Sequence, residues 1–249
     1  MRICIYDTKD DLGKHAAVIG AQQIRQAIEA KDKASIILAT GASQFEMINA
    51  LVKETGIEWN KVTAFHLDEY VGLPERHPAS FRKYLKERFA ANVSSPLAAF
   101  HYIEGDAPDT AVEVSRINNL IKNEQIDAAF IGIGENGHLA FNDPPANLVT
   151  NDPYIIVELD KACRKQQTGE GWFASVNDVP KKAISMSIPF ILKSSCIICT
   201  VPDTRKAAAI NMALYANADS DHPCASLRNH ANCYLMMDRP AAGKILAKS

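Results

Sequence analysis

Apolar residues fall along this chain in short blocks that alternate with longer amphipathic stretches. Residues 3–6 form a first strand-like block, and residues 10–30 follow with Leu12, Ala16, Ile19, Ile24 and Ile28 at approximately helical spacing. The alternation then repeats. Strands are predicted at 35–39, 62–67 and 128–131, with a short candidate at 99–103. Helices are predicted at about 44–54, about 80–89 and around Val114, Ile117 and Ile121. Beyond residue 145 the pattern loosens. Residues 154–159 alternate weakly, residues 161–173 are polar and read as a mobile loop or frayed helix, and strands return at 183–188 and 195–201. A helix from Thr204, with Ala207, Ile210 and Leu214 inward, and a strand at 232–237 complete the series. Strands and helices taking turns in this way imply an α/β fold, a mainly parallel sheet with helices on both faces. No internal repeat or interdomain linker interrupts the pattern, so a single domain over residues 1–249 is expected.

Composition narrows the function classes. At 249 residues, 47% hydrophobic and 22% charged, the chain can bury a large core and has the make-up of a soluble globular protein. Lys and Arg number 27 against 29 Asp and Glu, so no basic excess points to nucleic acid, and an anionic ligand must be met by a local cluster. No apolar run approaches membrane-spanning length and no signal peptide precedes the first strand, which sets the expectation of a cytoplasmic protein with no membrane partner. The six cysteines are scattered. Cys196 and Cys199 have the spacing of a metal or redox pair, but residues three apart on a strand face opposite ways, so both are read as core.

Candidate chemistry gathers at strand ends. The strand at 128–131 runs into Gly132 and Gly134, then Asn136, His138 and Asp143. Histidine with a nearby carboxylate, just past the carboxyl end of a strand, is either an acid–base pair or a tight turn whose polar groups satisfy the backbone. The strand at 35–39 leads into Thr40, Gly41, Ala42 and Ser43 ahead of a helix, an arrangement that presents free N–H groups to phosphate but lacks a Walker lysine. Asp68 and Glu69 end the strand at 62–67, as a general base with its neighbour or as an exposed acidic turn. Arg205 and Lys206 open the helix at Thr204. Cations at that end are mildly costly unless an anion sits there.

Residues 67–73 (Leu-Asp-Glu-Tyr-Val-Gly-Leu) and 132–144 (Gly-Ile-Gly-Glu-Asn-Gly-His-Leu-Ala-Phe-Asn-Asp-Pro) together resemble the glucosamine-6-phosphate deaminases. The likeness extends to the Ala39-Thr40-Gly41 turn and to Val179-Pro180-Lys181. It implies a modified Rossmann-like sheet shared with 6-phosphogluconolactonases, and an isomerising deamination of a phosphorylated aminosugar without metal or organic cofactor. By motif, Asp68 is the base, and His138 assists ring opening with Asp143 holding it. Asn136 stands at a place occupied by Asp or Asn in the family. Thr40, Gly41, Ala42, Ser43, Gly137 and Lys206 are the implied substrate contacts.

Departures from the family pattern are specific. Ala42, Ser43 and Gln44 replace the end of a Thr-Gly-Gly-Thr-Pro turn, and Asp143 stands where glutamate is usual. An expected phosphate-binding arginine gives way to Gly171-Trp172-Phe173, with Arg164, Lys165 and Arg205 as candidate substitutes. The stretch with Asn151-Asp152-Pro153 lacks the basic residues of an allosteric site, so no such regulation is expected. Two other classes are weighed. Tyr70 and residues 137–142 differ from the Arg and Gly-His-Thr-Ala-Ser typical of the lactonases, and a sugar-phosphate sensor would need a DNA-binding module that does not fit ahead of Ile3. Whether the protein forms a homo-oligomer is not legible in the sequence.

Overall fold

Thr8 is extended, and its side chain accepts from the Asp11 N–H, which fixes where the first helix begins. That helix, α1 (Lys9–Lys31), comes after β1 (Arg2–Tyr6) in a computed structural model that describes residues 1–247. Next come β2 (Ala34–Leu38), α2 (Phe45–Leu51), β3 (Val62–His66), β4 (Asp68–Tyr70) and α3 (Phe81–Leu85). β5 (Ala99–His101), α4 (Thr110–Ile121) and β6 (Ala128–Ile131) lead to the loop containing His138. The second half holds β7 (Tyr154–Glu158), α5 (Lys161–Gly169), β8 (Lys182–Met186), α6 (Ile188–Ile191) and β9 (Ile197–Val201). It continues with α7 (Ala207–Tyr215), β10 (Cys233–Asp238) and α8 (Arg239–Leu246).

Seven strands form one sheet in the order β1-β10-β9-β6-β2-β3-β5, every neighbouring pair parallel. Strands buried on both faces carry nearly continuous apolar runs, and alternate residues feed two cores. Ile36, Leu38, Phe130 and Met236 pack with α1 and α2 on one face. Ile37, Phe65, Ile131 and Leu235 pack with α4, α7 and α8 on the other. The expected α/β architecture with helices on both faces is what forms. Cys196 belongs to the first core and Cys199 to the second, as their spacing on a strand requires, and all six cysteines are free. Among the described residues no helix is long and apolar enough to cross a membrane.

A second sheet, antiparallel in the order β4-β8-β7, is not foreshadowed by the hydrophobic pattern. Its origin is Leu67, whose N–H bonds to the Leu38 carbonyl in the large sheet while its carbonyl accepts from Met186 N–H in the small one. The chain thus changes sheets between β3 and β4. A three-residue strand such as β4 is too short for periodicity to reveal it. The exposed acidic turn considered for Asp68 and Glu69 is therefore ruled out, since both are buried in that strand. Helices begin later than their pattern suggests: a 3₁₀ turn spans Ala42–Gln44 ahead of α2, and another spans Thr204–Lys206 ahead of α7. The polar stretch read as loop or frayed helix contains α5, started by the Asp160 side chain accepting from Cys163 N–H.

Candidate active site

Four adjacent strands of the large sheet, β9-β6-β2-β3, end at one cleft. Lys206 lies beyond β9, Gly132, Gly134 and His138 beyond β6, the segment from Thr40 to Gln44 beyond β2, and Asp68 beyond β3; all of them line it. Gln166, Gln167 and Glu170 of the α5 region form a further wall. Carboxyl ends of parallel strands are where open sheets bind ligands.

His138 is placed by steric room and by one carboxylate. A Cβ on Gly134 would lie 2.2 Å from His138 Nε2, so the glycine makes way for the imidazole ring. His138 Nδ1 lies 2.9 Å from Asp143 Oδ1. The same oxygen accepts from Asn136 Nδ2 at 2.9 Å, and Asp143 Oδ2 accepts from Asp160 N–H at 3.0 Å. Burial pushes the Asp143 carboxyl up, but the bond and charge of His138 and these other donors outweigh it and hold the carboxyl below its usual value. Asn136 Oδ1 accepts from the His138 backbone N–H at 3.2 Å, closing the local network. Behind it, Asn142 donates to the carbonyls of Leu139 and Met186, pinning the loop to β8. The reading of this stretch as a mere tight turn leaves out that His138 lies on the cleft wall.

Asp68 is 6% exposed and its carboxyl accepts no hydrogen bond among the described residues. Burial, and then the adjacent Glu69 carboxylate, push it up to about 8. Desolvation disfavours the charged form and so makes the carboxylate a stronger base. Glu69 has a different role. It turns away from the cleft and accepts from the N–H groups of Tyr70, Phe81 and Arg82 and from the Ser80 hydroxyl, which anchors the start of α3. That places Phe81 on the cleft wall beside Phe141, with the two rings stacked 5.6 Å apart.

At the opposite wall, Lys206 is 4% exposed and makes no ion pair among the described residues. Burial lowers its ammonium below the ordinary lysine value, partly offset by the charges of Glu170 and Glu135. An amine buried in this way is costly without an anion. Gly41, with a positive φ of 92°, lines the same cleft just past the end of β2. None of the three candidate substitutes for the missing arginine lines the cleft. Arg205 is drawn to Asp203 and Glu135, and Arg164 reaches the Val176 carbonyl. Glu170, a carboxylate, lines the cleft near the β2 turn instead.

The structure therefore brings together Thr40, Gly41, Ala42, Ser43, Asp68, His138 and Lys206, with Asn136 and Asp143 behind His138. Gly137 is a correction. It does not line the cleft, and a Cβ there would face Cys224 and Met212, because its φ of 88° turns the chain back toward α7. Gln44, Gln167 and Glu170 are cleft residues that sequence reasoning misses. The only sequence signal for them is the departure from the family turn and the polar character of residues 161–173. His138, Asp143 and Cys163 have potential ligand atoms within 4.8 Å of one another. Both Asp143 oxygens already hold donors, and burial with the Asp143 charge keeps the Cys163 thiol firmly protonated, so the group suits a hydrogen-bond network better than a metal.

The family model described as glucosamine-6-phosphate isomerases/6-phosphogluconolactonase matches residues 7–236. A glucosamine-6-phosphate deaminase of Exiguobacterium sp. is 30% identical over 244 residues, covering 98% of this chain and 92% of that one. One from Streptococcus uberis is 34% identical over 210 residues, covering 84% and 86%. Among solved structures, a monomeric glucosamine-6-phosphate deaminase superposes with a TM-score of 0.89 at 30% identity, over 98% of this chain and 99% of that one. A 6-phosphogluconolactonase from Shewanella baltica superposes with a TM-score of 0.78 at 18% identity over 96% and 97%, a likeness of fold alone.

Proposed function

The chain belongs to the glucosamine-6-phosphate isomerase/6-phosphogluconolactonase family, and on that premise we propose that it is a glucosamine-6-phosphate deaminase. It takes glucosamine 6-phosphate and water to fructose 6-phosphate and ammonia. The observation that carries this reading is the company Asp68 keeps: an unpartnered, desolvated carboxyl on the same cleft as His138 and Lys206.

The residues divide the work by position. Lys206 and the turn at Thr40, Gly41, Ala42 and Ser43 hold the phosphate. Asp143 occupies His138 Nδ1, which leaves Nε2 to move the proton that opens the sugar ring. Asp68 takes the proton from C2 to give an enolamine and returns it to C1. The C2 imine so formed adds water and releases ammonia. Asn136 and Asp143 act as positioning residues through His138. No step calls for a metal or an organic cofactor.

Tyr70 supports the deaminase over a lactonase. It is fully buried against Phe81, Phe141 and Phe173, where the lactonase pattern has an arginine. Six free cysteines fit a cytoplasmic location. The residues given roles here all come from one chain, which we read as one domain, and a homo-oligomer is compatible with that reading. Ammonia and ketose phosphate release, measured on a panel of hexosamine 6-phosphates beside hydrolysis of 6-phosphogluconolactone, tests the reading. Turnover of the lactone with no ammonia from any aminosugar phosphate would overturn it.

A further inference from the structure

Glu170 lines the cleft with Lys206 and the β2 turn, in a region where a phosphate-binding cation was expected. Its placement is close: a Cβ on Gly41 would lie 3.9 Å from Glu170 Oε2. Two neutral donors hold the carboxylate from its own segment, Gln166 Nε2 to Oε1 at 2.9 Å and Trp172 Nε1 to Oε2 at 3.2 Å. Gln166 is itself tied to the β6 loop by accepting from Glu135 N–H at 2.9 Å. These bonds fix Glu170 without cancelling its charge, and no ion pair involves it among the described residues.

The same cleft therefore holds an uncancelled carboxylate and an uncancelled buried ammonium, while Arg164 and Arg205 are engaged elsewhere. The geometry points to Glu170 as a specificity-determining residue, the resident anion of the phosphate subsite, whose charge a phosphate bound at the β2 turn and Lys206 must approach. This rests on the phosphate-holding role proposed above for Lys206 and the β2 turn. The physical consequences are two. A phosphate bound at the turn meets a like charge, which weakens it. In the empty protein the carboxylate compensates part of the cost of burying Lys206. The subsite would then bind phosphate more weakly than its lysine and turn alone would allow.

Inorganic phosphate is the direct probe, measured by calorimetry and as a competitive inhibitor of turnover. Glu170→Gln keeps the side-chain shape and an acceptor for one of its two donors but removes the charge. It should tighten phosphate by about three- to tenfold at low ionic strength, the scale of removing one partly exposed like charge. KM for glucosamine 6-phosphate should fall in parallel, with kcat changing less than KM. Because exposed charges are screened, the gain should shrink as salt rises. Glu170→Ala, which also drops the bonds to Gln166 and Trp172, should move phosphate affinity the same way. Phosphate binding unchanged or weakened in both variants would overturn the inference, because Glu170 would then be a substrate acceptor or a structural brace. If neither wild type nor variants bound phosphate, the phosphate subsite itself would be lost, and this inference with it. Ammonia release, assayed separately, reports on the reaction independently of either outcome.

Discussion

Asp143 reaches His138 Nδ1 at 2.9 Å although its side chain is one methylene shorter than the glutamate usual at this place. The short arm suffices because the loop folds close: Asn136, Asp160 and His138 all donate to the one carboxylate, whose side chain is 4% exposed. A longer side chain would carry the carboxylate off the three donors that hold it. Asp143→Glu should therefore lower kcat, with an overpacking cost of roughly 1–3 kcal/mol in stability. Asp143→Ala should lower kcat further and leave KM nearer to wild type, since in the proposed mechanism the carboxylate acts through His138. Equal kcat in wild type and Asp143→Ala would remove Asp143 from the mechanism.

Gly134 gives a test of His138 that leaves every polar group in place. A methyl group at 134 would meet the imidazole at 2.2–2.5 Å, closer than non-bonded atoms approach. The ring must shift, and it will lose its alignment with Asp143. Gly134→Ala should reduce kcat by about tenfold or more, the scale of misplacing a catalytic group. A crystal structure of the variant would show the displaced ring. Full activity with an undisturbed His138 would contradict the steric account.

Lys206 should trade stability for binding. Its ammonium is buried without an ion pair, and burial holds its affinity for protons below the ordinary lysine value. Lys206→Met removes that unpaired charge, so Tm of the ligand-free protein should rise or hold. KM for the sugar phosphate should increase by the loss of a charge-assisted hydrogen bond, about 1.5–3 kcal/mol. Calorimetry with inorganic phosphate on both proteins checks the second half, and phosphate binding as tight in the variant would rule out Lys206 as a ligand.

Much of this site is legible in the sequence because parallel strands advertise themselves. β2, β6 and β9 are nearly continuous apolar runs, and the residues that follow them, Thr40 and Gly132 close behind and Lys206 a few positions on, are at the ligand edge by topology. The small sheet is not legible. β4 is three residues long, and its partner β8 lies more than a hundred positions away, so nothing local marks the pairing of Asp68 with Ser185. Glu69 illustrates the same limit. Adjacent carboxylates look alike in sequence, yet one is left without a donor on the cleft and the other takes four donors from Tyr70 and the start of α3. Glu170 escapes because a charged residue in a polar stretch usually faces water, and only the fold of α5 turns it into the cleft.

Asp68 provides the sharpest prediction, because its proposed role as the base has a pH signature. Burial and the Glu69 charge raise its carboxyl from the ordinary aspartate value to about 8. Only the ionised form can take the C2 proton. In the free enzyme kcat/KM should therefore climb with pH up to about 8 and level off above it. The stability consequence has the opposite sense. A group whose folded-state pKa is raised binds its proton more tightly when folded, so its contribution is present at low pH and is lost as pH rises through about 8. Asp68→Asn keeps the shape but has no proton to lose. Its stability should fall less steeply than that of wild type between the ordinary aspartate range and about pH 8, with the remaining slope set in part by Glu69, whose carboxyl burial also raises, to about 7. Catalytically, the variant should bind sugar phosphate nearly normally and lose on the order of 10²–10⁴ in kcat. In deuterated water the wild-type fructose 6-phosphate should carry label at C1, and the variant should yield neither label nor ammonia. Ammonia release by Asp68→Asn at the wild-type rate would mean that another group moves the proton.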